Sequence, residues 1–398
     1  MPGSSFSDIS EKDNQRGIAV YNDGGGGREI SAKVGENEVV VINRTQKFSS
    51  LEKKVVEEFL KLTEIFDDID SKYYSVSVLN NISHVITNSI IDNDSDFKIV
   101  NDIIRCLENW AAETYEGANI SASVMYDPSK NDEGILKYSS FINADFAKVI
   151  TNGFDTYVTV NNKYEVCSYS KSEDSDSDNY KVPYRYTSLS KHAIDGKILF
   201  ILNRNGELLI IKDNELVFAK RRGSWKVFNH DTTIRQIAGG GKTFSEEIRR
   251  AVYATCLDVS FARTGGSIGL INKTKQEEAL NELLKSEDNI NSPGNDKTHF
   301  ITQFKNSSFS DIDRLFRQEM SGIDGATLLD REGKVISFGA IISIIIEKKV
   351  DNETKSEVTG GGRTAASMQL SKYGIGTKIS EDGKITVFKN EEEIFSIA

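Results

Sequence analysis

Leu51, Val55, Phe59, Leu62 and Phe66 recur at helical spacing, and Ser49 with Glu52 stands where a capping box would open their helix. Ile99, Ile103, Leu107 and Trp110 make a second apolar stripe, predicting a helix over 96–114 with Ser95 as its cap. The stretch 73–91 between them is read as helix. At Asn119 the period shortens to two, and Ile120, Ala122, Val124 and Tyr126 alternate with small polar residues as in a half-buried strand. Further strands are expected over 135–139, 156–160 and 164–168, the last two joined at Asn161-Asn162.

The segment from Lys171 to Asn179 is almost wholly Ser, Asp, Glu and Asn, which predicts a loop or linker over 171–190. Four strands then crowd into 197–228, with turns at Asn205-Gly206, Asp213-Asn214 and Arg222-Gly223, and predict a β-meander over 191–235. Gly239 to Thr243 ends like a P-loop, but Gln236 stands where the first glycine belongs. Thr243 and Glu246 are read instead as a capping box for a helix over 245–262 with Ile248, Val252, Cys256 and Val259 on its apolar face. A strand over 267–271, a charged helix over 276–284, a polar loop over 286–297 and a strand over 300–304 follow. A helix capped by Ser310, with Ile312, Leu315, Phe316 and Met320 on one face, then leads to strands at 326–329 and 335–346.

This order predicts an α+β protein in several domains. A partly ordered arm (1–48) precedes an α+β regulatory region (49–170), the acidic loop, the meander and a C-terminal α/β domain (244–398) with a mixed sheet flanked by helices. A chain of 398 residues has ample length for more than one core. Its net charge of −11 and a single basic run, Lys220-Arg221-Arg222, argue against a broad nucleic-acid-binding face. The three cysteines show no CxxC spacing and the four histidines no HExxH, which leaves out a disulfide scaffold and the common zinc motifs. The first ten residues lack a secretory pattern, and the apolar run 336–346 is too short to span a bilayer, so a cytoplasmic protein without membrane segments is expected.

Candidate chemistry gathers near the C-terminus. Asp324-Gly325-Ala326 puts a hard oxygen ligand on a turn between a helix and an apolar strand. Gly360, Gly361 and Gly362 precede Arg363 and Thr364 at a predicted helix start, where backbone donors, helix dipole and guanidinium would face one anion.

With Ala262 to Ile268 after its helix, Asp324-Gly325-Ala326, the stretch Gly360 to Ala366, and Ser380 to Ile385 in that order, the segment from about Phe244 onward resembles the diadenylate cyclase (DAC) domain. These stretches are similar to the family's threonine-glycine segment, DGA motif, GTRHRAA helix start and closing SEE-x-G-x-I strand pair. The resemblance implies a nucleotidyltransferase that condenses two ATP molecules into the second messenger cyclic di-AMP. Asp324 would be catalytic and hold Mg2+ or Mn2+. Gly360, Gly361, Gly362, Arg363 and Thr364 would hold phosphates. Gly325 and Ala326 would border the nucleotide, Gly266, Ile268 and Leu328 would lie near adenine, and Ser380 and Glu381 would support the metal side. It also implies at least a homodimer, with the N-terminal part as a sensor. Gly362, Arg363 and Thr364 stand where the family has Arg-His-Arg, so two basic contacts are missing. The alternative is a nucleotide-binding signalling protein without turnover, and a third reading is a purely structural interaction protein.

Overall fold

A computed structural model of the chain describes residues 19–21, 28–34, 38–44, 46–65, 81–173, 179–240, 243–284, 307–343 and 361–397. The expected strand over 300–304, the loop over 286–297, Gly360 and the far end of the 335–346 run lie outside the described residues. The fold is α+β, in two compact units. The first comprises residues 1–175 and 188–229, the second residues 176–187 and 230–398.

In the first unit, β1 (Ala19–Tyr21), β2 (Glu29–Val34) and β3 (Glu38–Asn43) form a separate antiparallel sheet. Helix α1 (Ser50–Ile65) opens on the capping box read from sequence: Ser49 Oγ accepts from the Glu52 N–H at 3.1 Å, and Glu52 accepts from the Ser49 N–H at 2.7 Å. Helix α2 (Ile82–Ile90) follows. Helix α3 (Phe97–Ala111) begins after a 3-10 turn at Asp94–Asp96, and Ser95 does not cap it, because that turn already folds the chain into the helix. Then come the ribbon β4 (Thr114–Tyr115) and β5 (Ala118–Asn119), β6 (Ala122–Asp127), β7 (Leu136–Lys137), α4 (Tyr138–Ile142), β8 (Thr156–Asn161) and β9 (Glu165–Lys171).

Two expectations change here. All six residues of β6 are buried, so the strand is covered on both faces rather than half-exposed, and it pairs on both edges, with β10 and β8. The strand expected over 135–139 shrinks to two residues, because Tyr138 and Phe141 turn inward together at helical spacing.

Short α5 (Thr187–Ser190) leads to β10 (Ile198–Leu202), β11 (Leu208–Lys212), β12 (Glu215–Arg221) and β13 (Ser224–Val227). The meander is not a separate module. Strand β10 pairs with β6, giving one eight-stranded sheet in the order β13-β12-β11-β10-β6-β8-β9-β7, covered by α3 through Ile103, Ile104 and Leu107.

The second unit contains α6 (His230–Gln236), α7 (Glu246–Ala262), β14 (Gly266–Ile271), α8 (Gln276–Leu283), α9 (Arg314–Gly322), β15 (Ala326–Leu329), β16 (Val335–Ala340), α10 (Gly362–Ser371), β17 (Gly374–Ile379), β18 (Ile385–Lys389) and β19 (Glu392–Ile397). Its mixed sheet runs β16-β15-β14-β17-β18-β19, with β14 and β15 parallel and every other pair antiparallel. Val252, Cys256 and Val259 of α7 share one core with Ile268 and Leu270, while Leu370 of α10 and Leu283 of α8 share another with Leu328 and Ile336.

Both predicted caps move by a few residues. Ser245 rather than Thr243 caps α7, accepting from Ile248 N–H at 3.3 Å, and Asp313 rather than Ser310 caps α9, accepting from Phe316 N–H at 3.0 Å. Helix α9 buries Arg314, Arg317, Met320 and Ser321, and leaves Leu315 exposed. Arg314 turns inward to Asp258, a buried carboxylate on α7, and Arg317 donates to the Phe309 carbonyl at 3.3 Å.

Candidate functional site

Parallel pairing of β14 and β15 sets their first residues, Gly266 and Ala326, at one end of the sheet. The antiparallel partners bring the far ends of β16 and β17 to that end, with Ala340 opposite Ala326 and Ile379 opposite Gly266. Helix α10 crosses β14 and β17, with Ser367 Oγ 2.8 Å from Ser267 Oγ, and its first turn reaches the same end. Four segments distant in sequence therefore meet: 263–266, 321–325, 361–364 and 380–383.

Their meeting point is Gly265. A Cβ placed there would lie 2.7 Å from an Arg363 guanidinium nitrogen and 3.2 Å from Glu381 Cγ, so both side chains lie directly over this residue. Its φ of +70° favours glycine as well. Arg363 reaches Glu381 at 2.7 Å, with side-chain exposures of 31% and 67%. A pair that open to water stabilises by at most about 1 kcal/mol. A second arginine joins it, because Arg263 donates from a guanidinium N–H to the Glu381 carbonyl at 3.3 Å. The turn carrying Glu381 is fixed by Gly383 N–H to Ser380 carbonyl at 2.8 Å and by the buried Ser260 hydroxyl to the Gly383 carbonyl at 2.7 Å.

Gly361 is the N-cap of α10, at φ −62° and ψ 171°, backbone angles open to any residue. Among the described residues, Cβ atoms at Gly361 and Gly362 would meet nothing within 4 Å. Neither glycine is demanded by backbone or packing, so their effect is to leave the first N–H groups of α10 open to approach. Thr364 N–H bonds back to the Gly361 carbonyl at 2.9 Å, so it closes the first turn with its backbone.

Asp324 lies in the exposed turn between α9 and β15, and its carboxylate makes no hydrogen bond or ion pair among the described residues. Gly325 has φ +110°, and a Cβ on it would come within 2.5 Å of Gly339 C and 2.8 Å of Ala340 N. The glycine thus lets β16 close over the turn. Ala326 is buried as the first residue of β15. The Asp324 turn joins the cluster through its neighbours: a Cβ at Gly322 would touch Thr264 Oγ1 at 3.0 Å, and one at Gly266 would lie 2.2 Å from the Ser321 carbonyl oxygen.

Ile268 and Leu328 do not share this site. Ile268 stands opposite Thr327 and Gly269 opposite Leu328, so the two side chains point to opposite faces of the sheet, and both are wholly buried. One adenine cannot rest on both. Ser380 is in the turn with Glu381. Arg263 is the contributor that the motif reading missed. Its signal was a lone arginine beside a Thr-Gly-Gly run, with nothing in the spacing to show that it would reach Glu381.

Among the described residues, no three His, Cys, Asp or Glu side chains gather as a metal site. One exposed carboxylate still suits magnesium or manganese, because such ions take one or two protein oxygens and complete their shell with phosphate and water. In the first unit, a cleft of about 510 Å³ is lined by Asp102, Arg105, Cys106, Trp110, Lys148 and Tyr164. Burial pushes the Cys106 thiol up to about 11, so it is no nucleophile at neutral pH.

Among the described residues no helix is long and apolar enough to cross a membrane. No protein-family model matches the chain, and no curated protein matches it. Among solved structures, a double cysteine mutant of DacA from Staphylococcus aureus aligns at 14% identity and a TM-score of 0.26, over 38% of this chain and 87% of that one. A likeness at that score does not assign the chain to a family.

Proposed function

We propose that the second unit binds a nucleoside triphosphate with Mg2+ or Mn2+ at the Gly266 end of its sheet, and acts as a diadenylate-cyclase-like nucleotidyltransferase. The observation that carries this reading is the convergence of Gly265, Arg363 and Glu381, from three motif segments, beside an open helix start. Arg363 and the first N–H groups of α10 hold the polyphosphate, and charge-assisted contacts of this kind are worth about 1.5–3 kcal/mol each. Asp324 is the protein ligand of the metal, which when bound neutralises charge on the phosphates. Gly325 lets the turn that carries Asp324 pack against β16. Two such units facing each other would set the 3′-oxygen of one ATP against the α-phosphorus of the other, with pyrophosphate leaving, and two transfers give cyclic di-AMP. Positioning and charge stabilisation supply most of such a reaction.

A second reading, binding without turnover, is favoured by Gly362, Arg363 and Thr364 where the resembled family has Arg-His-Arg. Incubation of the full chain with ATP and Mn2+, followed by mass spectrometry of the products, separates the two. Cyclic di-AMP supports the cyclase. Intact ATP together with calorimetric binding supports the nucleotide sensor, and no binding removes both.

A further inference from the structure

We infer that Arg263 and Arg363 form a two-guanidinium seat for a polyphosphate, for which the protein's own Glu381 competes. The inference deepens the proposed function and rests on it for the identity of the ligand, though not for the seat itself. It also answers the loss of basic residues from the α10 start, since a cation absent from that segment can arrive from another.

The first ground is geometric. Arg363 holds the Glu381 carboxylate at 2.7 Å, Arg263 holds the carbonyl of the same residue at 3.3 Å, and both come from segments bordering Gly265. The second is conformational. Arg263 ends α7 at φ 61° and ψ 26°, in the left-handed region where a helix commonly places Gly or Asn. A residue with a β-carbon costs more there than glycine would. Asn in this position would cap the helix as well; only Arg also brings a cation to Glu381.

Glu381 is the natural competitor. Its carboxylate offers Arg363 one anionic oxygen at 2.7 Å, the kind of contact a phosphate oxygen also makes, and the pair is exposed enough to be exchanged. A triphosphate carries more charge than one carboxylate and can engage both guanidiniums together with the α10 N–H groups. Its arrival displaces the Glu381 side chain, while the buried Ser260 hydroxyl keeps the turn in place. Glu381 therefore sets a threshold: it keeps the seat closed to single small anions and yields to polyphosphates.

Calorimetry on the full chain tests this with sodium tripolyphosphate and, separately, ATP, both with chelator present so that no metal contributes. Arg263→Asn keeps a residue suited to the left-handed cap and should weaken tripolyphosphate binding roughly tenfold, with no loss of thermal stability. Glu381→Gln keeps the shape, removes the competing charge, and should tighten binding roughly tenfold. Unchanged affinity in both variants, with wild-type chain that binds, overturns the seat and leaves the proposed function standing. Tightening by Glu381→Gln with ATP no better than tripolyphosphate supports the seat and removes the adenosine recognition that the function requires. Absence of binding by both wild type and Glu381→Gln overturns the seat and the function together.

Discussion

Arg314 grips Asp258 with two contacts, Nε to Oδ2 at 2.7 Å and a terminal N–H to Oδ1 at 2.9 Å, and the two side chains are 5% and 0% exposed. The pair ties the start of α9 to the middle of α7. It also binds a strap of chain, because Arg314 donates to the carbonyls of Asn179 and Val182 and Asp258 accepts from Tyr184 N–H. Burial pushes the Asp258 carboxyl up, and Arg314 with the Tyr184 N–H opposes it. Removing one member leaves a buried charge without its counter-charge. Asp258→Ala should cost about 3–5 kcal/mol, read as a lower urea midpoint for the second unit. The double change Asp258→Leu with Arg314→Met should recover much of that loss.

The strap also bears on where the second unit can be cut. Deleting residues 1–235 removes every strap group bonded to Arg314 and Asp258, and α6 with it. A fragment of residues 236–398 should unfold broadly and at lower urea than one in which 176–187 is joined to 230–398 through a Gly/Ser linker. Near-ultraviolet circular dichroism of the two fragments compares them directly. Equal, cooperative unfolding would show that the strap is dispensable.

Local rules carried far in this chain, and their limit is physical. Ser49, Glu52 and the turn Asn161-Asn162 act within a few residues, so their roles were legible. The inward turn of Arg314 was not, because a helical stripe of Ile312, Leu315 and Phe316 is satisfied by hydrophobicity alone, whereas the partner that buries Arg314 lies 56 positions away on α7. The interior place of β6 in its sheet likewise depends on β10, which arrives after the acidic loop. In the candidate site, Asp324, Gly325, Arg363 and Glu381 stood in recognisable segments. Arg263 belongs with them through a contact that only the assembled sheet creates, and Ile268 and Leu328 were separated by the alternation of the strands.

Glu52 is the hub of another cluster: it accepts from Arg44 through two N–H groups at 2.7 Å each, from Ser49 N–H and from the Asn229 amide. Burial alone would raise its carboxyl, but Arg44 and the other donors outweigh that and hold it below the ordinary value of 4.5. A depressed carboxylate contributes stability that is fully present above its unfolded value. That contribution is lost as pH falls below 4.5 and through the folded value. Glu52→Gln should lower stability at pH 7 by about 1–2 kcal/mol and flatten the acid limb of the first unit's stability curve. Urea midpoints from pH 7 to pH 3 check both effects.

Gly325 answers to two constraints at once, a φ of +110° and the backbone of β16. Gly325→Ala should destabilise the second unit by about 2–3 kcal/mol, from strain and overpacking together. Hydrogen exchange should quicken first at 323–327 and 337–340, where the pairing of Ala326 with Ala340 opens.

Asp324 offers the sharpest division between a turn residue and a metal ligand. Its exposed carboxylate makes no hydrogen bond or ion pair among the described residues, so an amide in its place costs the fold little. A hard divalent cation, by contrast, gains from the full negative charge and holds an amide oxygen more weakly. Asp324→Asn should therefore leave the urea midpoint within about 0.5 kcal/mol of wild type. It should also remove most of the gain in ATP affinity that Mn2+ confers, and any turnover with it. Asp330→Asn is the control, since Asp330 Oδ1 accepts from Lys334 N–H at 2.8 Å in a different turn and an amide oxygen can take over that role. Calorimetry of ATP with and without Mn2+ on both variants decides between the roles. A metal-dependent gain that survives in Asp324→Asn would make Asp324 a turn residue and move the metal site elsewhere.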